Sequence, residues 1–175
     1  MSDIAGAEAL DPNVSRRRIT EPPPQNVAAE STNGILGAWK LLSIEDRKAD
    51  GEIIYWMGRK PNGLIIYDAS GYMSVQFMRD PRPVFTTPYS RATPEEVRKA
   101  YEGYFAYFGT YEVNAEKRLI THHLHGSLRP AEVGIAYDRN FKIEGDRLIL
   151  TMTVPGKDPG RSRSLIWARC PTASI

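Results

Sequence analysis

The stretch Gly37-Ala38-Trp39-Lys40-Leu41-Leu42 decides the fold of this chain. It opens a segment in which apolar and polar residues alternate, as they do in a strand with one buried face. Similar segments recur to the end of the chain, separated by turn-prone groups such as Ala49-Asp50-Gly51 and Glu144-Gly145-Asp146. The pattern predicts an antiparallel meander of eight or nine short strands, closed as a barrel or stacked as a sandwich. The predicted strands are 37–45, 63–68, 71–78, 109–113, 118–125, 135–143, 147–154 and 162–169.

One helix interrupts the predicted meander. Thr93-Pro94-Glu95-Glu96 combines an N-cap hydroxyl, a proline at the first helical position and a glutamate at the third, which is a capping box. We expect the helix to fray between Gly103 and Gly109 and to lie against the mouth or wall of the barrel. Its packing surface would be an apolar stripe with steps of three and four residues, formed by Val97, Ala100, Tyr101, Tyr104 and Phe108.

Residues 1–33 differ in composition from the rest of the chain. They contain Pro12, Pro22, Pro23 and Pro24 but no tryptophan, tyrosine or phenylalanine. Without aromatic burial, such a segment cannot offset the entropy lost on ordering. The sequence therefore predicts a disordered N-terminal leader, 1–33, followed by one folded domain, 34–175.

Charge and cysteine content narrow the classes of function. The net charge of the chain is +2. The leader contains Arg16, Arg17 and Arg18 but also five acidic residues, so its own net charge is negative. The sequence therefore indicates no cationic face that would bind nucleic acid. The single cysteine, Cys170, rules out an intramolecular disulfide and fits a reducing compartment. No apolar run reaches the roughly 18 residues that a membrane span needs. We therefore expect a cytoplasmic protein with neither nucleic acid nor membrane as a partner.

The first and last predicted strands together resemble the lipocalin signature. Gly37 stands two residues before Trp39, and the last strand ends in Arg169. In lipocalins and their relatives, the glycine lets the chain turn under the barrel, the indole plugs the closed end, and the arginine stacks over it. Gly37, Trp39 and Arg169 would therefore be structural residues.

Three further stretches are similar to the bacterial and fungal lipocalin-like domain family. They are 61–76, 103–113 and 121–128, and the resemblance as a whole covers roughly 35–169. It implies an all-β fold: a lipocalin-like antiparallel up-and-down barrel of about eight strands with one short helix.

The resemblance also limits the function to a few classes. Related calycin barrels include cofactor-free cyclases and isomerases as well as plain carriers. The sequence holds no G-x-S-x-G elbow, dinucleotide fingerprint or Walker loop, and we expect no cofactor. The first hypothesis is a cofactor-independent, non-redox isomerase or cyclase that acts on a hydrophobic secondary-metabolite intermediate in the barrel. The alternative is a non-catalytic carrier for a small hydrophobic metabolite.

The sequence does not fix the size of the ligand or the oligomeric state of the protein. A lining rich in tyrosine, methionine, phenylalanine and leucine favours a largely apolar ligand of drug size. A homodimer formed through the outer wall of the barrel is also possible, and an outward-facing Leu42 or Ile44 would indicate one.

All three histidines fall on one predicted strand, at His122, His123 and His125. On a strand, His123 and His125 share one face, whereas His122 points the other way. A His123–His125 metal pair would need more ligands, and Glu132 does not have the cupin spacing, so no metal is expected. A single imidazole suits general acid–base catalysis near neutral pH. The alternative, that the histidines are polar members of the barrel wall, stays open.

Tyrosines in the family-like stretches would donate hydrogen bonds to a developing oxyanion. Glu112 or Arg129 would orient the substrate. The predicted catalytic residues are His123, His125, His122 and Tyr107, and the predicted substrate contacts are Tyr67, Tyr72, Tyr104, Tyr111, Gln76 and Arg129.

Overall fold

Ten strands and one helix make up the computed structural model, which describes residues 16–18, 34–154 and 160–171. The helix is α1 (Pro94–Glu102), and short 3₁₀ turns span Tyr89–Arg91 and Pro130–Glu132. The strands are β1 (Arg16–Arg18), β2 (Gly37–Arg47), β3 (Ile53–Ile54), β4 (Asn62–Tyr67), β5 (Tyr72–Met78), β6 (Tyr104–Asn114), β7 (Leu119–Ser127), β8 (Ile135–Glu144), β9 (Arg147–Thr153) and β10 (Ser162–Arg169).

Eight antiparallel strands close into a barrel. Their order is β8-β7-β6-β5-β4-β2-β10-β9, and β9 pairs back to β8. Alternate side chains point inward, so Tyr67 and Tyr107 are buried while their neighbours Ile66 and Phe108 are exposed on the outer wall. The inward side chains form one continuous hydrophobic core. The predicted antiparallel barrel with one short helix is confirmed.

The closed end of the barrel is built as the Gly-x-Trp signature implies. Gly37 has a φ of 106°, which favours glycine, and the chain turns there so that Trp39 enters the core with no exposed surface. The Arg169 guanidinium lies 4.0 Å from the centre of the Trp39 ring. It also donates to the carbonyl oxygens of Leu36 at 3.0 Å and Gly34 at 2.7 Å. Arg169 therefore ties the last strand to the segment that leads into the first strand of the barrel.

Replacing Arg169 by glutamine tests this end of the barrel. We expect Arg169→Gln to lower the free energy of unfolding by about 1–2 kcal/mol, because the cation–π contact and two hydrogen bonds are lost. Urea denaturation followed by tryptophan fluorescence measures the change. Arg47→Gln is the matched control, since Arg47 is exposed and makes one long hydrogen bond of 3.4 Å. Equal stability of the two variants would show that the contacts of Arg169 with Trp39, Leu36 and Gly34 contribute nothing to stability.

Helix α1 begins as predicted. The Thr93 hydroxyl accepts from the Glu96 backbone N–H at 3.2 Å, and the Glu96 carboxylate accepts from the Thr93 backbone N–H at 2.8 Å. These reciprocal bonds are the predicted capping box. No described helix is long and apolar enough to cross a membrane.

The end of α1 and the burial of its stripe were predicted wrongly. The helix stops at Glu102, and Tyr104 and Phe108 belong to β6. Residues 104–111 fit a strand because every second side chain enters the barrel and the backbone pairs with β5 on one side and β7 on the other. No residue of α1 is buried, and Val97 and Tyr101 are nearly half exposed.

Part of the predicted disordered leader is a strand. β8 pairs with β9 through residues 140–144. β1 pairs with residues 135–137, the part of the same edge of β8 that β9 does not reach. That stretch of β8 has backbone donors and acceptors left over on its edge, and β1 satisfies them. β1 lies inside the predicted leader, and the remainder of 1–33 lies outside the described residues, so the disorder of the leader stays a prediction.

Candidate functional site

The barrel interior contains a cavity of about 110 Å³. Partly exposed Trp56, Arg129 and Thr153 lie at its mouth. An apolar cavity of about 150 Å³ accepts a benzene-sized molecule, so this smaller one suits a ligand of at most about one ring and is smaller than the predicted drug-sized ligand requires. The lining consists of Trp56, Ile65, Val75, Phe77, Phe105, Tyr107, Arg129, Glu132, Tyr137, Arg139, Leu150, Met152, Thr153, Val154, Arg163, Leu165 and Trp167.

A register shift between β6 and β7 decides which histidine faces inward. Gly126 opposes Phe108, whereas the next β6 residue, Gly109, opposes Leu124, so His125 is left in a bulge. The strands approach closely here: a Cβ on Gly109 would lie 1.8 Å from the His123 carbonyl oxygen, and only glycine fits. His122 is thereby directed into the barrel, while His123 and His125 lie on its outer side.

Two tyrosine hydroxyls hold the inward histidine. Tyr67 Oη lies 2.8 Å from His122 Nε2, and Tyr107 Oη lies 2.8 Å from His122 Nδ1. His122 has no exposed surface. Burial, and next the positive charge of Arg139, lower the pKa of His122 well below its usual 6.5, so the ring is neutral at physiological pH. A neutral imidazole donates from one nitrogen and accepts at the other.

The partners of the two tyrosines decide the direction of these hydrogen bonds. Within the described part of the chain, the buried Tyr67 hydroxyl has His122 as its one hydrogen-bond partner, so it donates to Nε2. The proton of the imidazole is then on Nδ1 and is donated to Tyr107. The positive charge of Arg139, which lines the same cavity, also acts on the Tyr107 hydroxyl. With its oxygen accepting from His122, Tyr107 keeps its own O–H available as a donor, and its side chain lines the cavity.

Both tyrosines keep their protons at neutral pH. Burial raises the pKa of Tyr67 well above its usual 10 and also raises that of Tyr107, although Arg139 opposes the second shift. Tyr107, which lines the cavity, is therefore a protonated hydroxyl close to the positive charge of Arg139.

The neutral His122 should make the stability of the barrel depend on pH. The unfolded chain takes up a proton on this residue below about pH 6.5, whereas the folded protein does not, so stability falls as the pH drops. We expect a loss of about 1.4 kcal/mol between about pH 7.5 and about pH 5.5 that is absent in His122→Gln. Urea denaturation at the two pH values measures it. The exposed His125→Gln variant is the control and should keep the loss; a loss unchanged in His122→Gln would contradict the assignment.

The outward histidines do not reach the cavity. His123 Nε2 lies 3.1 Å from the Glu112 carboxylate, and His125 meets the exposed ring of Tyr72 at 6.4 Å between centroids. The proposed catalytic roles of His123 and His125 therefore gain no support from their positions. Among residues 16–18, 34–154 and 160–171, no group of three or more His, Cys, Asp or Glu side chains is placed to hold a metal ion.

The predicted substrate contacts also divide between the two faces of the wall. Arg129 lines the cavity, over the Phe105 ring at 4.6 Å. Tyr111 is buried in the core, where its hydroxyl donates to the Asp68 carbonyl oxygen at 2.9 Å. Burial raises the pKa of Tyr111 to about 12. The remaining contacts do not line the cavity: Tyr67 lies behind Tyr107, and Tyr72, Tyr104 and Gln76 alternate with the buried residues of β5 and β6.

The structure adds two charged residues that were not among the predicted catalytic residues or substrate contacts. Arg139 and Glu132 are buried and line the cavity, and Glu132 accepts from Arg129 at 3.3 Å and from the Ser127 hydroxyl at 3.2 Å. The signal for Arg139 was its even spacing from Tyr137, which puts both on one face of β8.

A second charged cluster stands beside the mouth. Arg163 donates two hydrogen bonds, of 2.5 and 2.7 Å, to the carboxylate of the fully buried Asp46. Arg161 donates a third hydrogen bond, of 2.6 Å, to the same carboxylate. Burial alone would raise the pKa of Asp46, but the two arginines outweigh it and lower that pKa. The Arg163 guanidinium also stacks on Trp56, 4.3 Å from its ring centre.

Comparison with known proteins identifies the domain. A family model described as lipocalin-like domain matches residues 36–170, which span the closed barrel from β2 to β10. No match was found among curated proteins. A lipocalin-like barrel with an interior cavity indicates binding of a small hydrophobic molecule. Because the match covers well over half of the chain and the fold agrees with it, the chain belongs to the lipocalin-like domain family.

Proposed function

We propose that this protein is a cofactor-free, non-redox enzyme that isomerises or cyclises a small hydrophobic secondary-metabolite intermediate inside the barrel. The observation that supports the proposal is Tyr107, a residue of the cavity lining whose hydroxyl is held by His122 at 2.8 Å. With Cys170 as the single cysteine, we place the activity in the cytoplasm.

An isomerisation by proton shift needs one group that gives a proton and one that takes it. Tyr107 would donate its proton to the oxygen of a substrate carbonyl, and the Glu132 carboxylate would take a proton from the adjacent carbon. Where the substrate carries a carbon–carbon double bond next to that carbon, the dienol that forms returns to a carbonyl: its O–H proton goes back to Tyr107, and Glu132 gives its proton to the far end of the former double bond. His122 Nδ1–H and Arg139 would stabilise the Tyr107 phenolate while its proton is away.

Positioning would supply most of the rate. Well-oriented intramolecular reactions gain on the order of 7–11 kcal/mol from the entropy already lost on binding. The walls that would hold the substrate are apolar, with Ile65, Val75, Leu150 and Trp167 around the cavity. They would exclude water from the reacting atoms and leave the polar contacts to Tyr107 and the charged residues.

A carrier without chemistry is the second candidate. It is favoured by the position of His122, whose two ring nitrogens are both occupied by tyrosines and which does not itself line the cavity. In that case the polar network would fix the shape of the cavity, and the protein would hold one ligand without converting it.

A turnover count separates the two candidates. Purified protein is mixed with a metabolite extract from a strain that lacks this gene, at a protein concentration well below that of the accumulated compound. We expect that compound to disappear, with many product molecules formed per protein. Saturable binding that stops at one ligand per protein, with nothing converted, would establish the carrier instead.

Dimerisation through the outer wall is also proposed. Leu42 on β2 is 39% exposed, and Ile66 and Phe108 are exposed on β4 and β6, whereas Ile44 is fully buried. Of the two residues that the sequence offered as signs of an interface, Leu42 is therefore the one that faces outward. Sedimentation equilibrium of the intact protein tests this proposal.

A further inference from the structure

We infer that the cavity ligand is a small organic acid whose carboxylate binds Arg139. The inference rests on the proposed binding of a small molecule in the barrel and adds the chemical class of that molecule. Four observations support it: the burial of Arg139, its unused donors, the charge balance of the cavity and the neighbouring Tyr107.

Arg139 is a buried cation without an anionic partner. Only 8% of its surface is exposed, and it lines the cavity from β8. No carboxylate among the described residues lies within 4.0 Å of its guanidinium, although Asp46 and Glu132 each have arginine partners at such distances. Burying a charge without a counter-charge is costly, so such an arrangement persists where a ligand supplies the missing anion.

The guanidinium of Arg139 also has N–H donors with no hydrogen-bond acceptor among the described residues. Arginine has five N–H donors. One Arg139 nitrogen donates to the Asp138 carbonyl oxygen at 3.0 Å. Stacking against the Tyr137 ring at 4.7 Å holds the guanidinium plane in a fixed orientation. The remaining donors would form the paired hydrogen bonds by which arginine recognises carboxylates.

The charges around the cavity leave positive charge in excess. The lining contains the cations Arg129, Arg139 and Arg163 and the anion Glu132. Arg129 pairs with Glu132, and Arg163 shares Asp46, which lies behind the lining, with Arg161. Arg139 is the lining cation that has no carboxylate within 4.0 Å among the described residues, and a monoanionic ligand would supply one.

The surroundings of Arg139 define the rest of the ligand. Tyr107 lines the same cavity and feels the positive charge of Arg139, so the body of a ligand whose carboxylate is held by Arg139 would lie within reach of the Tyr107 hydroxyl. The remaining lining is mostly apolar, and the volume of about 110 Å³ suits a body of about one ring. The ligand class is therefore a compact hydrophobic acid.

Two probes of equal shape test the inference on the intact protein. Benzoate carries the carboxylate, whereas benzamide replaces it by a neutral amide of nearly the same size. Isothermal titration calorimetry should show benzoate binding about tenfold or more tightly than benzamide, because charge-assisted hydrogen bonds are the stronger ones. In Arg139→Gln this preference should fall to about one. Arg98→Gln, on the exposed face of α1, should keep it, because Arg98 pairs with Glu95 and Glu102 far from the lining.

The outcomes separate this inference from the proposed function. A wild-type preference near one, or a preference that survives in Arg139→Gln, would overturn the carboxylate assignment. The barrel would then still be a binder, and the turnover count would be unaffected. If Arg139→Gln does not fold, Arg139→Lys is the second variant. Lysine keeps the positive charge but lacks the paired N–H donors of the guanidinium, so it should retain only part of the preference for benzoate over benzamide. Failure of both probes to bind the wild-type protein would also overturn the inference.

Discussion

Tyr107→Phe is expected to lower turnover at least about 100-fold, since a positioned proton donor contributes roughly 10²–10⁴ to the rate. The phenyl ring keeps its edge contacts with Phe105 at 5.6 Å and Tyr137 at 5.9 Å, so the cavity keeps its shape. Substrate affinity should therefore change much less than kcat. Single-turnover kinetics together with equilibrium binding measure the two quantities separately.

The control for this variant is Tyr101→Phe, which removes a hydroxyl from the exposed surface of α1. It should leave both quantities unchanged. Turnover within a few-fold of wild type in Tyr107→Phe would remove Tyr107 as the donor. A parallel loss of affinity and turnover would instead assign the hydroxyl to ground-state binding.

Asp46→Asn is expected to lower the free energy of unfolding by about 3 kcal/mol. Removing one partner of a buried ion pair costs about 3–5 kcal/mol, and the lower end applies because Arg161 and Arg163 are 27% and 20% exposed. Asparagine keeps the shape of the side chain but leaves two guanidinium groups without their shared anion. Urea denaturation at neutral pH, with an unchanged m-value, measures the loss.

Asp146→Asn is the matched control. Asp146 also faces an arginine, but at 3.9 Å and with 90% of its side chain exposed, so we expect a loss below about 1 kcal/mol. The contribution of Asp46 should also vanish in acid. Its folded pKa is lowered, so the stability it gives is present above the unfolded value of about 4 and is lost as the pH falls through the folded value. Equal losses in the two variants at neutral pH would contradict the role of burial.

The fold could be predicted because its determinants are local. A strand with one buried face repeats every two residues, and the turns between the strands carry glycine, proline, asparagine or aspartate. Trp39 and Arg169 then marked the closed end, where the structure finds them 4.0 Å apart. The end of α1 was mistaken because residues 104–108 fit both a helical and a strand period. Hydrogen bonding to β5 and β7, which no local pattern contains, settles that choice in favour of a strand.

The site was harder to predict than the fold. Thr121-His122-His123-Leu124-His125 has no clear alternation of polar and apolar residues, so its inward face could not be read from the sequence. The bulge at His125 depends on Gly109 in the neighbouring strand. Arg139 was missed because a charged residue on a strand is ordinarily assigned to the solvent face. Its burial follows from partners on other strands, among them Tyr107.

The pairing of β2 with β10 has a consequence for how the chain folds. Arg169 and Leu36, which share a hydrogen bond at the closed end, stand 133 residues apart in sequence. During synthesis, the edge of β2 that pairs with β10 therefore stays unpaired until almost the whole domain has left the ribosome. Barrels dominated by such distant pairings fold slowly, on the scale of milliseconds to seconds. Incomplete chains expose β2 and β9 as raw edges, which are the places where one nascent chain can add to another and aggregate.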